Sequence, residues 1–278
     1  MAKQEKKKKK ERVPFRTQWK QAAAEKKGML ALYIILRVMV IAVMIAQFFN
    51  GDYNNVFLCL LTLVLFTIPA FVEGRLKIDV PDTLEVIILL FIFSAEILGE
   101  IREYYLTYPY WDTMLHTING FLMAAIGFSL IDILNRSERF AIKMSPFFVA
   151  LFAFCFSMTI GVLWEFYEFG ADVFLKMDMQ KDTVLQEVTS VALNPQGRNV
   201  PVTVPVKTLS VNGEEWNLGG YLDVGLHDTM ADLIVNFIGA LVFSVIGMFY
   251  IKGRGSGKFV RRFIPTRKAE PAKPPRRR

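Results

Sequence analysis

The chain has 278 residues, is 53% hydrophobic and only 21% charged, and carries a formal net charge of +7. With 24 Phe and 9 Tyr it is too apolar to be disordered over most of its length. Its two cysteines, Cys59 and Cys155, lie inside apolar runs and exclude a disulfide scaffold. So apolar a chain with a basic total requires charge and apolarity to be segregated along the sequence, as in a membrane protein.

Residues 1–28 form a basic, helix-prone segment with Lys6 to Lys10 in a row. The run from Met29 to Phe49 follows, and it matches the roughly 20 residues that cross a bilayer. It is too long for a signal-peptide core and no cleavage pattern follows it, so it reads as a retained first crossing. Five further apolar runs follow: Val56–Val72, Thr83–Leu98, Thr113–Leu134, Pro146–Phe174 and Leu226–Ile251. They lack the polar alternation of barrel strands. The expected fold is therefore all-α, an integral membrane bundle of six helices over 29–251.

Between the fifth and sixth helices lies an excursion, 176–225. Val184–Leu193 and Val200–Val211 are rich in strand formers, with turn signals at Asn194-Pro195-Gln196-Gly197 and Asn212-Gly213. This predicts a small outward-facing β-hairpin, too short to be an enzyme domain of its own. Residues 252–278 read as a basic tail, disordered from Pro265 onward.

Charge orients the bundle. With the N-terminus cytoplasmic, 27 of the 33 Lys and Arg fall on the cytoplasmic side and 5 on the other, with Arg37 inside the first crossing. That split is a strong positive-inside signal and places both termini in the cytoplasm. The expected location is the cell membrane (plasma or inner membrane), with the lipid bilayer as partner. The basic termini face anionic headgroups rather than nucleic acid.

Acidic residues inside apolar helices are costly, and here they form a pattern. The third helix ends with Glu96, Glu100 and Glu103. The fourth opens with Asp112, His116 and Asn119. The fifth ends with Trp164, Glu165, Glu168 and Asp172, and the sixth opens with His227, Asp228, Asp232 and Asn236. Steps of three and four keep each set on one helix face. Alternating direction puts all four sets at the same membrane depth, which predicts an outward-facing polar cavity if the faces converge. Nine acids there meet one nearby base, Arg102.

Carboxylates with one or two imidazoles suit a divalent metal ion, with Zn, Mn, Mg or Fe all compatible. The expected ligands are Asp112, His116, Glu165, Glu168, Asp172, Asp228 and Asp232. The paralleled openings Asp112-Thr113-Met114 and Asp228-Thr229-Met230 put two helix N-termini beside the cavity, which would favour an anionic group such as a lipid phosphate. Bland readings stand beside these. Asp112 and Asp228 are favoured N-caps, Trp111, Tyr108 and Tyr110 fit an interfacial belt, and Asn119 and Asn236 fit interhelical glue. Arg37 is expected to snorkel or to pair with Glu85 or Asp132. No nucleotide-binding loop, nucleophile elbow or zinc-protease motif is present.

The stretches Trp111 to Phe121, Trp164 to Asp172 and Asp228 to Asp232 resemble the YjdF-type bacterial inner-membrane proteins over about residues 85–250. The W-E-x-x-E-x-x-x-D segment is the most specific part. Asp112-x3-His116 is more distantly similar to VanZ-like membrane proteins. The first resemblance implies a fold and a location without a reaction, and the second implies a cell-envelope setting. Together with the residues, this gives an envelope membrane protein whose acidic and histidine cavity binds a divalent cation and acts on a phosphate-bearing envelope lipid. The alternatives are a cation- or proton-coupled transporter, or an accessory scaffold that docks a partner through the hairpin. No broken midspan helix, which would favour transport, is evident in the sequence.

Overall fold

The computed structural model describes residues 27–76, 78–135, 144–253, 257–258 and 260–267. The expected basic segment up to Lys26, most of the 135–145 loop and the tail beyond Arg267 lie outside the described residues. The chain divides into two compact units, residues 1–71 with 82–102, and residues 72–81 with 103–278.

In the first unit, α1 (Lys27–Asn50) leads through Gly51 into α2 (Tyr53–Leu65). Gly51 takes φ +78°, which suits a residue without a Cβ. Asp52 caps α2, its Oδ1 accepting from the Asn55 N–H at 3.0 Å. A third helix, α3 (Ile68–Leu76), whose residues from Val72 onward belong to the second unit, follows a two-residue break at Phe66–Thr67. Pro69 explains the break: its ring would meet the carbonyl of Leu65 and it has no N–H to give. Then α4 (Asp82–Phe93) continues as a π-helical segment, Ser94–Ile101, and the Arg102 N–H reaches back to the Ile97 carbonyl at 3.0 Å. Leu36, Val40, Cys59, Phe66, Leu89 and Ile97 form this unit's apolar core. Arg37 stacks over the Tyr33 ring at 4.7 Å and donates to the Phe66 carbonyl at 3.4 Å, while the Tyr33 hydroxyl donates to Glu85 at 2.6 Å.

The second unit is built on three long helices, α6 (Trp111–Asn135), α7 (Pro146–Gly170) and α8 (Leu226–Lys252), preceded by the short α5 (Tyr104–Thr107). Ser145 caps α7 by accepting the Phe148 N–H at 3.2 Å, with Pro146 in the first turn. α7 continues as a π-helical segment, Ala171–Leu175. Small residues let α6 and α8 touch: a Cβ on Gly120 would lie 2.1 Å from the Asn236 carbonyl oxygen, and one on Gly239 would lie 2.1 Å from that of Thr117. Leu163, Phe166, Phe169, Ile234, Phe237 and Ile238 point outward and are exposed. An apolar outside around a partly polar inside is the arrangement lipid requires.

Five segments of the described residues are long and apolar enough to cross a membrane: Lys27–Asn50, Tyr53–Arg75, Trp111–Asn135, Pro146–Leu175 and Leu226–Lys252. The expected count of six helices is not reached by this measure. The expected third crossing is divided into twelve α-helical and eight π-helical residues, so no single long helix covers it. Nor are the helices unbroken as the sequence suggested. The interruptions at 66–67 and 94–101 replace the continuous runs read from hydropathy alone.

The excursion also differs from one hairpin. Strands β2 (Thr183–Leu185) and β7 (Tyr221–Asp223) pair antiparallel at its base. Within them lie two hairpins, β3 (Glu187–Ser190) with β4 (Val202–Pro205), and β5 (Leu209–Val211) with β6 (Glu214–Trp216). The Gly197 N–H bonds to the Asn194 carbonyl at 3.1 Å, closing the expected first turn. Asn212 at φ 53° and Gly213 at φ 87° close the second as a two-residue loop. The long run 200–211 divides into β4 and β5 after Pro205, and the Val206 N–H still reaches the Gln186 carbonyl at 2.8 Å.

At the other end of the unit, β1 (Ile78–Asp79) pairs with β8 (Thr266–Arg267). Part of the tail expected to be disordered is therefore structured. Val260, Phe263 and Ile264 are buried, and the Phe263 ring meets that of Phe121 at 5.2 Å.

Candidate functional site

The site lies within the second unit, where α6, α7 and α8 bring their polar faces together. Helical spacing sets each contribution. On α7, Gly161, Glu165 and Glu168 are buried, whereas Leu163, Trp164, Phe166, Tyr167 and Phe169 between and beside them are exposed. On α8, Asp232 and Asn236 are buried one turn apart, and on α6 His116 and Gly120 are.

His116 is the centre. Its Nε2 is 3.5 Å from Asp112 Oδ1, one turn earlier on the same helix, and 3.8 Å from Asp232 Oδ2. Its Nδ1 is 3.8 Å from Glu165 Oε1. Two triads share the ring, Asp112 with His116 and Asp232, and His116 with Glu165 and Glu168. Within each, one potential ligand atom per residue lies within 4.8 Å of the others. Glu165, Glu168 and Asp232 are 4%, 7% and 3% exposed, so these carboxylates are all but removed from solvent.

Hydrogen bonding inside the cluster is incomplete. Glu168 Oε1 accepts from the Trp164 indole N–H at 2.8 Å. No hydrogen bond of normal geometry reaches Glu168 Oε2, either oxygen of Glu165, or Asp232 Oδ2. Among the described residues no Lys or Arg forms an ion pair with Asp112, Glu165, Glu168 or Asp232. Buried polar groups normally find partners, so several bare carboxylate oxygens around one imidazole are the outstanding feature of this fold.

The other expected ligands are placed differently. Asp172 accepts the backbone N–H groups of Met179 and Gln180 at 2.6 and 2.9 Å, which ties down the chain leaving α7. Asp228 accepts the Lys181 backbone N–H at 2.8 Å, and the Gln180 side chain bonds the Thr229 hydroxyl. These two aspartates thus fasten the excursion to the helix ends. The N-terminus of α8 is also occupied, with Asp223 accepting the His227 N–H at 2.8 Å, and the His227 side chain is exposed. That arrangement does not favour the anion cradle expected at this helix start. Outside the crossings, burial and the carboxylates of Asp178, Asp172 and Asp223 push Asp182 above its ordinary range.

One turn below His116 the polar groups are satisfied. Asn119 donates to Asn236 Oδ1 at 3.3 Å, as expected of interhelical glue, and Asn236 donates to the Met158 sulfur at 3.6 Å. Ser157 donates to the Gly120 carbonyl at 2.8 Å. The sequence reading missed the roles of Trp164, Gly120, Gly161 and Gly239. Their signal was available in the spacing, because Gly161 precedes Glu165 by one turn and Gly120 follows His116 by one turn. Of the residues expected to form an aromatic belt, Tyr108 and Trp111 both meet the ring of Tyr104, at 4.7 and 4.9 Å, and Tyr110 is exposed. Glu96 and Glu100 belong to the other unit, on its π-helical segment.

Residues 31–253 match the family described as "Predicted membrane protein (DUF2238)", to which YjdF-type proteins belong, and the chain belongs to this family. A relative from Thermotoga maritima, named only as an uncharacterized protein, is 27% identical over 97 residues, which is 35% of this chain and 48% of the relative. The chain thus spans about half the length of that curated relative. No solved structure matches the chain significantly. The VanZ-like similarity is not supported by these comparisons.

Proposed function

We propose that this membrane protein binds a divalent cation in the cluster formed by Asp112, His116, Glu165, Glu168 and Asp232. The observation that carries the reading is the set of bare, buried oxygens on Glu165, Glu168 and Asp232 facing one imidazole. A divalent ion supplies the positive charge that no Lys or Arg among the described residues brings there, and gives these oxygens a bonding partner. The carboxylate-rich donor set favours harder ions such as Mn²⁺, Mg²⁺ or Fe²⁺ over a thiolate-type zinc site.

In the arrangement we propose, the chain crosses the membrane six times with both termini cytoplasmic. The 20 residues of α4 and its π-helical continuation would make the crossing that no single long helix provides. The site then opens outward, toward the envelope, where a metal-assisted reaction on a phosphate-bearing lipid headgroup is one use of the ion. Transport is the second reading, favoured by the π-helical segment carrying Glu96 and Glu100, because such irregular turns often mark functional positions. Docking a partner through the excursion is a third use of the same chain.

The test is calorimetric titration of chelator-stripped protein with Mn²⁺, Mg²⁺ and Zn²⁺. Saturable binding by the wild type, lost in the Glu165→Gln, Glu168→Gln double variant, is the expected result. Equal heats for both proteins would remove the reading. Cation-dependent uptake into proteoliposomes, abolished by Glu96→Gln, would favour transport instead.

A further inference from the structure

Resting on the cation reading above, we infer that the ion sits on one side of the His116 ring. His116 Nδ1, Glu165 and Glu168 hold it, while Asp112 and Asp232 orient the ring from the opposite side.

A neutral imidazole offers one lone pair and one N–H, so its two nitrogens cannot serve the same purpose. Four carboxylate oxygens in the cluster are buried and lack a hydrogen bond of normal geometry: both on Glu165, which has the Thr229 side chain beside it, one on Glu168, and one on Asp232, which has Asp112 beside it. With the lone pair at Nδ1, an ion beside Glu165 and Glu168 engages the three bare oxygens on those residues. The N–H at Nε2 is then turned toward Asp112 at 3.5 Å and Asp232 at 3.8 Å, where the fourth bare oxygen lies. The reverse assignment satisfies Asp232 and one Glu165 oxygen, and leaves the other Glu165 oxygen and Glu168 Oε2 buried with neither the ion nor a hydrogen bond of normal geometry.

Two further observations point the same way. Trp164 holds Glu168 Oε1 at 2.8 Å, which fixes the carboxylate and presents Oε2. Asp112 stands one turn from His116 on the same helix and its side chain is 25% exposed, which suits a carboxylate that orients an imidazole rather than one that binds the ion in a closed cage. His116 Nδ1 and three carboxylate oxygens make four donor atoms, fewer than a six-coordinate ion takes up, so the remaining positions belong to water or to an oxygen ligand from outside. The site is therefore of the open, reactive kind and not a closed structural one.

The experiment compares full-length wild type, Glu165→Gln, Glu168→Gln, Asp112→Asn and Asp232→Asn in lipid nanodiscs, stripped of metal and titrated with Mn²⁺. Bound ion is read by electron paramagnetic resonance and by water-proton relaxation. Melting curves recorded without metal identify any variant that fails to fold. The glutamine variants are expected to lose saturable binding. The asparagine variants are expected to retain it, weakened by about 10- to 100-fold. Enhanced water relaxation in the wild type is expected from an inner-sphere water. Loss of binding in the asparagine variants with retention in the glutamine variants would put the ion on the other side and overturn the assignment. Equal loss in all four, or bound Mn²⁺ without relaxation enhancement, would indicate a closed cage and overturn it as well. Wild type that binds no Mn²⁺ and none of the other cations tested would instead remove the underlying cation reading.

Discussion

Glu85 and Glu165 are the same residue in similar burial, 7% and 4% exposed, in two different units of one chain. Glu85 accepts a short hydrogen bond from the Tyr33 hydroxyl at 2.6 Å, and Arg37 stacks on that same tyrosine. Glu165 has other carboxylates and an imidazole for company, with the Thr229 side chain beside it, and neither of its oxygens has a hydrogen bond of normal geometry. A buried acid with a donor built for it is part of the architecture. A buried acid without one is unfinished, and the missing partner is the better guide to function.

Two substitutions test this contrast directly, and two others bracket them in size of effect. The largest effect is expected from Gly239→Val, which leaves both acids untouched. Its side chain would drive into the Thr117 carbonyl and part α6 from α8. The expected cost is more than about 3 kcal/mol, seen as loss of the folded fraction in detergent. Next, Tyr33→Phe keeps the ring under Arg37 but removes the donor to Glu85. It should destabilise the protein by about 1–3 kcal/mol in a denaturant titration.

Glu165→Gln in metal-free protein should do the opposite. Removing a charge that has no partner leaves stability unchanged or raises it by up to about 1 kcal/mol. If both variants are destabilised equally, the contrast between the two glutamates is lost.

The smallest effect is expected at Asp182→Asn. Burial and, after it, neighbouring carboxylates hold the Asp182 carboxyl above its ordinary range in the folded protein, so ionising it costs stability as the pH rises through its titration. The variant should melt slightly higher than wild type at neutral pH. The difference should shrink in high salt and vanish below about pH 3.9, where the residue is protonated in both states.

Much of the second unit was legible in the sequence because lipid and helical spacing act together on it. Steps of three and four from Glu165 to Glu168 and from Asp228 to Asp232 placed the acids on single faces, and those of Glu165, Glu168 and Asp232 are indeed buried. Helical periodicity could not separate Asp172 and Asp228, which serve backbone amides of the excursion, from the acids that face His116. That distinction depends on where a loop far along the chain returns. The division of the expected third crossing into α- and π-helix was hidden as well, because an inserted residue in a helix leaves no mark on average hydropathy. Pro69 was a visible sign of the break in the second crossing, yet it sits within an otherwise continuous apolar run. Val260, Phe263 and Ile264 were overlooked because the Pro- and Arg-rich stretch after them dominates the composition.

On the function proposed above, a divalent cation completes the buried carboxylates around His116. Elemental analysis of protein purified without chelator tests it most directly. About one equivalent of a divalent metal per chain in the wild type, and none in the Glu165→Gln, Glu168→Gln variant, is the expected result. A wild type free of metal, or metal retained equally by the variant, would contradict it.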